Sequence, residues 1–192
     1  MGKSTHVTLT VLLSATLLLQ GCAGIIIGAG VGAASVAHDR RTVGTQVDDT
    51  TTSGRISVAL ANDAAINELT SITIQVFNGT ALLVGQAPTQ DLIQKAEQLA
   101  SSVKNIRKLH NQIRLGSPIP AGVVANDAWL ASKVKTKLIA DKRIDGMHKE
   151  IEVENGEVFL MGLVSQNESN IAVDITRHID GVKRVIKAFE YN

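Results

Sequence analysis

The sequence predicts an α+β fold made of two similar domains in tandem, each with the element order α-β-β-α-β. Three observations support this prediction: a segment of alternating apolar and polar residues that occurs twice, an Asn-Gly pair inside each copy, and apolar residues at helical spacing on both sides. In each domain, two helices are expected to pack on one face of a three-stranded mixed sheet.

The hairpins are the clearest part of the repeat. The first copy reads ITIQVFNGTALLVG over 72–85, and the second reads KEIEVENGEVFLMG over 149–162. Alternation predicts strands, and an Asn-Gly pair is typical of a two-residue type I′ turn because both residues tolerate positive φ. The polar side chains of each first strand are expected to face water, away from the helices. These residues are Thr73, Gln75, Glu150, Glu152 and Glu154.

A helix is predicted on each side of both hairpins. Ile56 and Leu60 correspond to Val134 and Leu138, and each pair has the i, i+4 spacing that places two side chains on one helix face. The second helix and the last strand repeat in the same way. Their matched apolar residues are Ala96, Leu99, Val103, Leu109 and Ile113 in the first copy and Ala172, Ile175, Ile179, Val185 and Phe189 in the second.

Five glycines are predicted to have structural roles. Two complete the hairpin turns, two end the second strands where backbones approach closely, and one suits the C-terminal cap of a helix. In that order they are Gly79, Gly156, Gly85, Gly162 and Gly181.

The N-terminal segment predicts export and lipidation. A short cationic start precedes an apolar run of 13 residues, Val7–Leu19, whereas a membrane-spanning helix needs roughly 18 to 20. The run ends in Leu19-Gln20-Gly21-Cys22, which resembles a bacterial lipobox. The resemblance implies a diacylglyceryl group on Cys22, cleavage before Cys22, and acylation of the new amine by a fatty acid such as palmitate. Ala23 after the cysteine points to the outer membrane.

The predicted organisation has five parts. They are a signal peptide at 1–21, a lipidated N-terminus and flexible tether at 22–53, a first domain at 54–116, a linker at 117–127, and a second domain at 128–192. Removing the signal peptide leaves 18 basic and 18 acidic residues, so bulk charge predicts neither a nucleic acid nor a membrane as the partner, and any electrostatic function must be local. No catalytic motif and no metal-ligand spacing is present, and the chain is therefore predicted to be neither an enzyme nor a cofactor-binding protein.

The repeat resembles the BON domain, twice over. The resemblance depends on the hairpin glycine, on the V/L-x-G that ends the second strand, and on GVKRV at 181–185. Asn105 and Ile106 replace Gly-Val in the first copy, so its helix-to-strand turn is expected to differ. With the lipobox, the architecture resembles that of outer-membrane lipoproteins with two BON domains. That resemblance implies phospholipid binding, a role in envelope integrity, and enrichment at the division site.

The first helix of the second copy carries the candidate binding residues. At about 100° per residue, Leu130, Val134 and Leu138 form its buried stripe, and Trp129 points about 140° away from the stripe's centre. Tryptophan favours membrane–water interfaces, and each lysine near an anionic surface contributes about 1 kcal/mol. The predicted lipid-binding residues are Trp129, Lys133, Lys135, Thr136, Lys137 and Ala140. The expected ligand is an anionic phospholipid, phosphatidylglycerol or cardiolipin.

The first copy serves as an internal control, because Thr51, Ser57 and Ala59 stand where Trp129, Lys135 and Lys137 would be. One alternative is that Trp129 packs between the domains, near Ile119, and that the lysines form an ordinary solvated face. A different functional hypothesis is a periplasmic scaffold that docks outer-membrane assembly proteins. The anchor at Cys22 would hold either kind of protein at the outer membrane.

Overall fold

The computed structural model describes residues 40–145 and 149–192. The predicted signal peptide, Cys22 and the first part of the tether lie outside these residues. The first domain consists of α1 (Val43–Ala61), α2 (Ala64–Leu69), β1 (Ser71–Phe77), β2 (Thr80–Ala87), α3 (Gln90–Ser101) and β3 (Lys108–Leu115). The second consists of α4 (Ala121–Ala140), β4 (Glu150–Glu154), β5 (Glu157–Val164), α5 (Gln166–Arg177) and β6 (Arg184–Tyr191).

Each domain contains a three-stranded mixed sheet, as the sequence predicts. The strand order is β1-β2-β3 in the first sheet and β4-β5-β6 in the second. The hairpin strands are antiparallel, with Ile74 opposite Leu83 and Ile151 opposite Leu160, and the third strand of each sheet runs parallel to the central one. Apart from the short α2, the order is therefore the predicted α-β-β-α-β.

The hairpin turns are fixed by an aspartate on the first helix of each domain. Asn78 and Gly79 have φ of 50° and 74°, and the equivalent residues of the second turn have 50° and 76°, as a type I′ turn requires. The Asp49 carboxylate accepts hydrogen bonds of 2.6 and 2.8 Å from the backbone N–H groups of Asn78 and Gly79. Asp127 does the same for the second turn, at 2.6 and 2.9 Å.

One face of each sheet is covered by its own helices. In the first domain, Ile56 and Leu60 of α1 pack with Leu83 of β2 and Ala96 of α3, and all four are buried. In the second domain the equivalent core contains Leu130, Val134, Leu138, Leu160 and Ala172. The predicted core stripes are thus confirmed in both copies.

The opposite faces of the two sheets pack against each other, which corrects the expectation that they face water. A third apolar cluster joins the two domains and consists of Phe77, Leu82, Val84, Phe159, Met161 and Ala188, all buried. The order of layers is therefore helices, sheet, sheet, helices. Alternation correctly predicts two kinds of face. Four of the six apolar residues of this second face lie on the central strands β2 and β5, and Phe77 and Ala188 lie on the edge strands β1 and β6.

Polar contacts surround this apolar cluster, and most place an acid of the second domain against a base or amide of the first. Arg107 pairs with Glu190 at 3.0 Å, and Arg114 pairs with Glu157 at 3.0 Å. The Gln86 amide donates a 2.5 Å hydrogen bond to Glu154. The glutamates of the second copy therefore take part in domain packing rather than forming an open acidic surface.

Two predicted boundaries need correction. Residues 43–53, assigned to the tether, form the first half of α1, and Asp49 and Thr52 within it are buried. Residues 121–127, assigned to the linker, form the first turns of α4. The inward-facing residues of these segments, Asp49, Thr52 and Asp127, are polar, so the stripe of apolar residues that predicts a helix is interrupted there. Both segments therefore resemble linkers in the sequence.

The turn before the last strand is similar in both domains, contrary to the expectation for the first copy. Gly181 has φ of 101°, and Asn105, which replaces it, also takes a positive φ of 72°. Asparagine adopts this left-handed conformation more readily than most residues. Gly181 is not the cap of α5, because His178 occupies the C-cap position.

Candidate functional site

Helix α4 presents Trp129 to solvent. Leu130, Val134 and Leu138 are fully buried against the second sheet, whereas Trp129 is 61% exposed. The outward direction agrees with the helical spacing, since Trp129 points away from the stripe formed by the three buried residues. A large aromatic ring left this exposed has a free apolar surface.

Trp129 borders a shallow groove on the outer surface of the second domain. The groove has a volume of about 310 Å³, and its lining is mainly apolar. It lies between α4 and the turn that follows α5. Its lining residues are Trp129, Ser132, Lys133, Thr136, Lys137 and Ile179.

Lys133 is fixed in place rather than free in solvent. Its Nζ atom lies 3.8 Å from the centroid of the Trp129 ring and donates a 2.8 Å hydrogen bond to the carbonyl oxygen of Asp180. The cation–π contact and the hydrogen bond together hold the indole beside the groove. One charge of the site is thus already engaged by the protein.

Lys137 supplies a more available charge. It lines the groove, is exposed, and forms no ion pair within the described part of the chain. Arg143, by contrast, pairs with Asp141 at 2.7 Å, and this contact lowers the pKa of Asp141 to about 2. The positive charge of the α4 surface therefore comes from lysines.

The first domain has no equivalent site. Thr51 of α1 occupies the place of Trp129, and Val47 and Val58 on the same side of α1 are 59% and 61% exposed. That surface carries Arg55 at the place of Lys133 and the exposed Asp48 one turn before Thr51, so the two charges offset each other. The combination of an exposed tryptophan with lysines is found in the second copy alone.

Comparison with known proteins establishes the family. Residues 48–117 and 126–192 each match the model of the BON domain. The chain belongs to the BON domain family. The two BON segments begin inside or close to α1 and α4, so both first helices are part of the family fold.

Three relatives share most of the chain's length. The chain is 40% identical over 183 residues to Outer membrane lipoprotein DolP of Haemophilus influenzae, and the match covers 95% of both proteins. It is 36% identical to the 21 kDa hemolysin of Actinobacillus pleuropneumoniae, over 80% of this chain and 79% of the relative. It is 28% identical to Osmotically-inducible protein Y of Escherichia coli, over 74% and 72%.

The structure brings four of the six predicted site residues of the second BON domain together. Trp129, Lys133, Thr136 and Lys137 line the groove, whereas Lys135 and Ala140 do not. Lys135 points away from Trp129 because it lies on the other side of the buried stripe, at about 240° from Trp129 on the helix. Ala140 is exposed at the C-terminal end of α4, one turn beyond the groove.

Two lining residues were missed by the sequence reasoning. Ser132 lies one turn after Trp129 on the same side of α4, so helical spacing alone could have identified it. Ile179 comes from a different element and was assigned to the core, which it also contacts. No local pattern connects Ile179 to Trp129, since 50 positions separate them in the sequence.

The alternative of a tryptophan buried between the domains disagrees with the structure. Ile119, the proposed neighbour, lines a separate cavity with Thr73 and Val124. Its backbone N–H donates a 3.2 Å hydrogen bond to the side chain of Gln86. The linker therefore contacts the domain interface without involving Trp129.

Proposed function

We propose that this BON-domain chain is a non-enzymatic outer-membrane lipoprotein whose second domain binds anionic phospholipid, phosphatidylglycerol or cardiolipin, through the groove beside Trp129. The observation that carries the proposal is the exposed indole next to Lys133 and Lys137, on one of two otherwise similar domains. The lipobox at Cys22 and the resemblance to Outer membrane lipoprotein DolP support the anchor.

The chemistry of the groove suits a lipid at the membrane surface. The indole is large and apolar with one N–H donor, which favours the region between headgroups and acyl chains. The apolar lining receives the upper part of an acyl chain, and the Lys137 ammonium group faces the phosphate. An exposed lysine near an anionic surface contributes about 1 kcal/mol, a contribution that salt screens.

The anchor and the groove can serve the same membrane. Residues 23–39 separate Cys22 from the first described residue, and this length limits their span to about 60 Å even when fully extended. Arg40, directly after them, pairs with Glu168 of the second domain at 2.8 Å. The segment that leads to the covalent anchor therefore enters the folded domains next to the second domain, which carries the groove. In the ranges that the structure describes, no helix is long and apolar enough to cross a bilayer.

The test compares two lysines of the same helix. In a protein truncated to residues 39–192, Lys137→Glu is expected to reduce co-sedimentation with phosphatidylglycerol vesicles about tenfold or more, which corresponds to at least about 1.4 kcal/mol. Lys135→Glu makes the same charge change outside the groove and is expected to have a much smaller effect. Equal losses for both variants would mean that binding depends on net charge and not on this site.

The proposed cellular role is support of outer-membrane integrity, at the division site. This part of the proposal depends on the family resemblance. It predicts that a strain lacking the protein becomes permeable to large antibiotics. Wild-type protein should restore the barrier, whereas Trp129→Ala, produced at the same level, should not. Full rescue by Trp129→Ala would show that envelope integrity does not depend on lipid contact through Trp129.

A further inference from the structure

The two sheets differ in how their edges are protected. Since β2 and β5 are central, the edge strands are β1, β3, β4 and β6. Charged side chains on an edge strand discourage pairing with other chains. Three of the edges carry such residues, which are Lys108 and Arg114 on β3, Glu150, Glu152 and Glu154 on β4, and Arg184, Lys187 and Glu190 on β6. The β1 strand, with the sequence SITIQVF, carries none.

Among the residues that the structure describes, no other strand pairs with the outer side of β1. A two-residue turn makes Phe77 and Thr80 a hydrogen-bonded pair. Hydrogen-bonded and non-hydrogen-bonded pairs alternate along antiparallel strands, so the backbone N–H and C=O groups of Thr73 and Gln75 point toward β2. The N–H and C=O groups of Ile72 and Ile74 therefore point to the edge. In the described ranges, no backbone hydrogen bond joins β1 to any element other than β2.

A pocket of about 150 Å³ lies beside this open backbone, between α1, α2 and β1. Its apolar walls come from Leu60, Ile66, Ile72 and Ile74, and its rim is polar but uncharged, formed by Ser57, Asn67 and Thr70. The two residues that present free backbone groups thus also line a side-chain pocket. Strand addition uses this combination, because main-chain hydrogen bonds give affinity and pockets select alternate side chains.

We propose that β1 is a strand-addition site for an extended, uncharged segment of a partner protein. The segment pairs with Ile72 and Ile74 and places one apolar side chain in the pocket between α1 and α2. Charge distribution supports an uncharged partner, since neither β1 nor the pocket rim carries a charged residue. The site belongs to the first domain and does not depend on lipid binding by the second.

A second copy of this chain fits the edge poorly. Helix α1 packs over β1 through Ile56 and Leu60. Antiparallel pairing of two β1 strands would place them about 4.8 Å apart with both α1 helices on the same face, whereas packed helices need about 8–10 Å between axes. An extended segment without a covering helix meets no such obstacle.

Hydrogen–deuterium exchange of the purified full chain in detergent micelles tests the proposal. The probe is a peptide whose uncharged central segment alternates threonine and valine, with one lysine beyond each end of that segment for solubility. The control peptide has proline in place of two valines. With the probe, exchange at the amides of Ile72 and Ile74 should slow about tenfold or more, while Ile151 and Val153 of β4 keep their rates. The proline peptide should protect neither strand.

A matched pair of variants locates the effect. Thr73 is exposed on β1, and Thr73→Lys gives this edge the kind of charge found on the other three, so peptide protection should be lost. Gln98→Lys, on the exposed side of α3, makes the same charge change and should retain it. No protection by the probe, or equal protection of β4, would overturn the proposal. Concentration-dependent protection without peptide would identify a second copy as the occupant and would also overturn it.

Discussion

The ammonium group of Lys133 lies 3.8 Å from the centroid of the Trp129 ring. The same group donates a hydrogen bond to the carbonyl oxygen of Asp180, in the turn after α5. This hydrogen bond fixes Lys133, and Lys133 in turn contacts one face of the Trp129 ring. The two lysines of the groove therefore have different roles. Lys133 positions the indole, and Lys137 is available to a phosphate.

Replacing Lys133 with methionine should test the positioning role. Lys133→Met keeps most of the side-chain length but removes the cation–π contact, which contributes about 0.5–1 kcal/mol at an exposed site. We expect a small loss of folding free energy and a changed indole emission spectrum in the absence of lipid. Lys142→Met, at an exposed position after α4, is the control and should change neither. An unchanged spectrum in Lys133→Met would show that Trp129 is oriented by other contacts.

Removing the Asp49 carboxylate should destabilise the first domain. Asp49→Ala leaves the N–H groups of Asn78 and Gly79 without their acceptor and removes one of the ion pairs of Arg41, which lies 2.9 Å away. Hydrogen bonds to charged groups contribute about 1.5–3 kcal/mol each, and we expect a loss of about 3 kcal/mol in urea denaturation. Asp48→Ala, at the exposed neighbouring position, should stay within about 0.5 kcal/mol of wild type. Similar midpoints for the two variants would contradict the structural role of Asp49.

Two glycine-to-alanine changes in the first domain should have opposite effects. A Cβ on Gly85 would lie 1.8 Å from the Ser71 carbonyl oxygen, at φ of 130°, so Gly85→Ala should unfold the domain or cost several kcal/mol. A Cβ on Gly54, exposed on α1, would meet nothing within 4 Å. Gly54→Ala should therefore stabilise the helix by about 0.5–1 kcal/mol. Thermal melts should show a lower melting temperature for Gly85→Ala and a higher one for Gly54→Ala. A Gly85→Ala protein as stable as wild type would contradict the close approach of the Gly85 and Ser71 backbones.

Packing between the domains should depend on pH through Glu152. This residue lies on β4 beside a cavity of about 200 Å³ that also contacts Thr73 of the first domain. Burial, with smaller contributions from Glu154 and Asp127, raises the pKa of Glu152 to about 7. A raised pKa means that the folded state binds the proton more tightly. The stability contribution is therefore fully present below about pH 4.5 and is lost as pH rises through about 7.

The corresponding variant is Glu152→Gln, which mimics the protonated acid at every pH. Its free energy of unfolding should match that of wild type near pH 4.5 and exceed it near pH 8, measured by urea denaturation. Glu68→Gln, on the exposed side of α2, controls for the change in net charge. A constant difference between Glu152→Gln and wild type across this range would show that Glu152 ionises normally.

Local patterns predicted the parts of the fold that depend on local interactions. Alternation around Asn78 and Asn155 identified both hairpins, and i, i+4 spacing identified the core residues of α1 and α4, because each signal lies within one or two elements. The start of α1 was missed because its inward-facing residue is Asp49, whose partners lie about 30 positions away in the hairpin. A buried aspartate on a helix resembles a solvated linker residue until its acceptor role is known.

The packing of the two sheets required three-dimensional information. Glu154 was expected to face water, yet it accepts a hydrogen bond from Gln86 of the other domain. Glu190, which the sequence left unassigned, pairs with Arg107 of the other domain. These partners are 68 and 83 positions away, and no periodicity relates them. The candidate site was predicted to the extent that it lies on α4. Ile179 and Asp180, which complete it, come from the turn after α5.

The most direct test is tryptophan fluorescence of residues 39–192, titrated with phosphatidylglycerol vesicles and separately with phosphatidylcholine vesicles. The chain has a single tryptophan, so the signal reports Trp129 alone. We predict emission typical of an exposed indole without lipid, a blue shift with the anionic vesicles, and loss of that shift in Lys137→Glu but not in Lys135→Glu. An emission spectrum that neither lipid moves would contradict lipid contact through this groove.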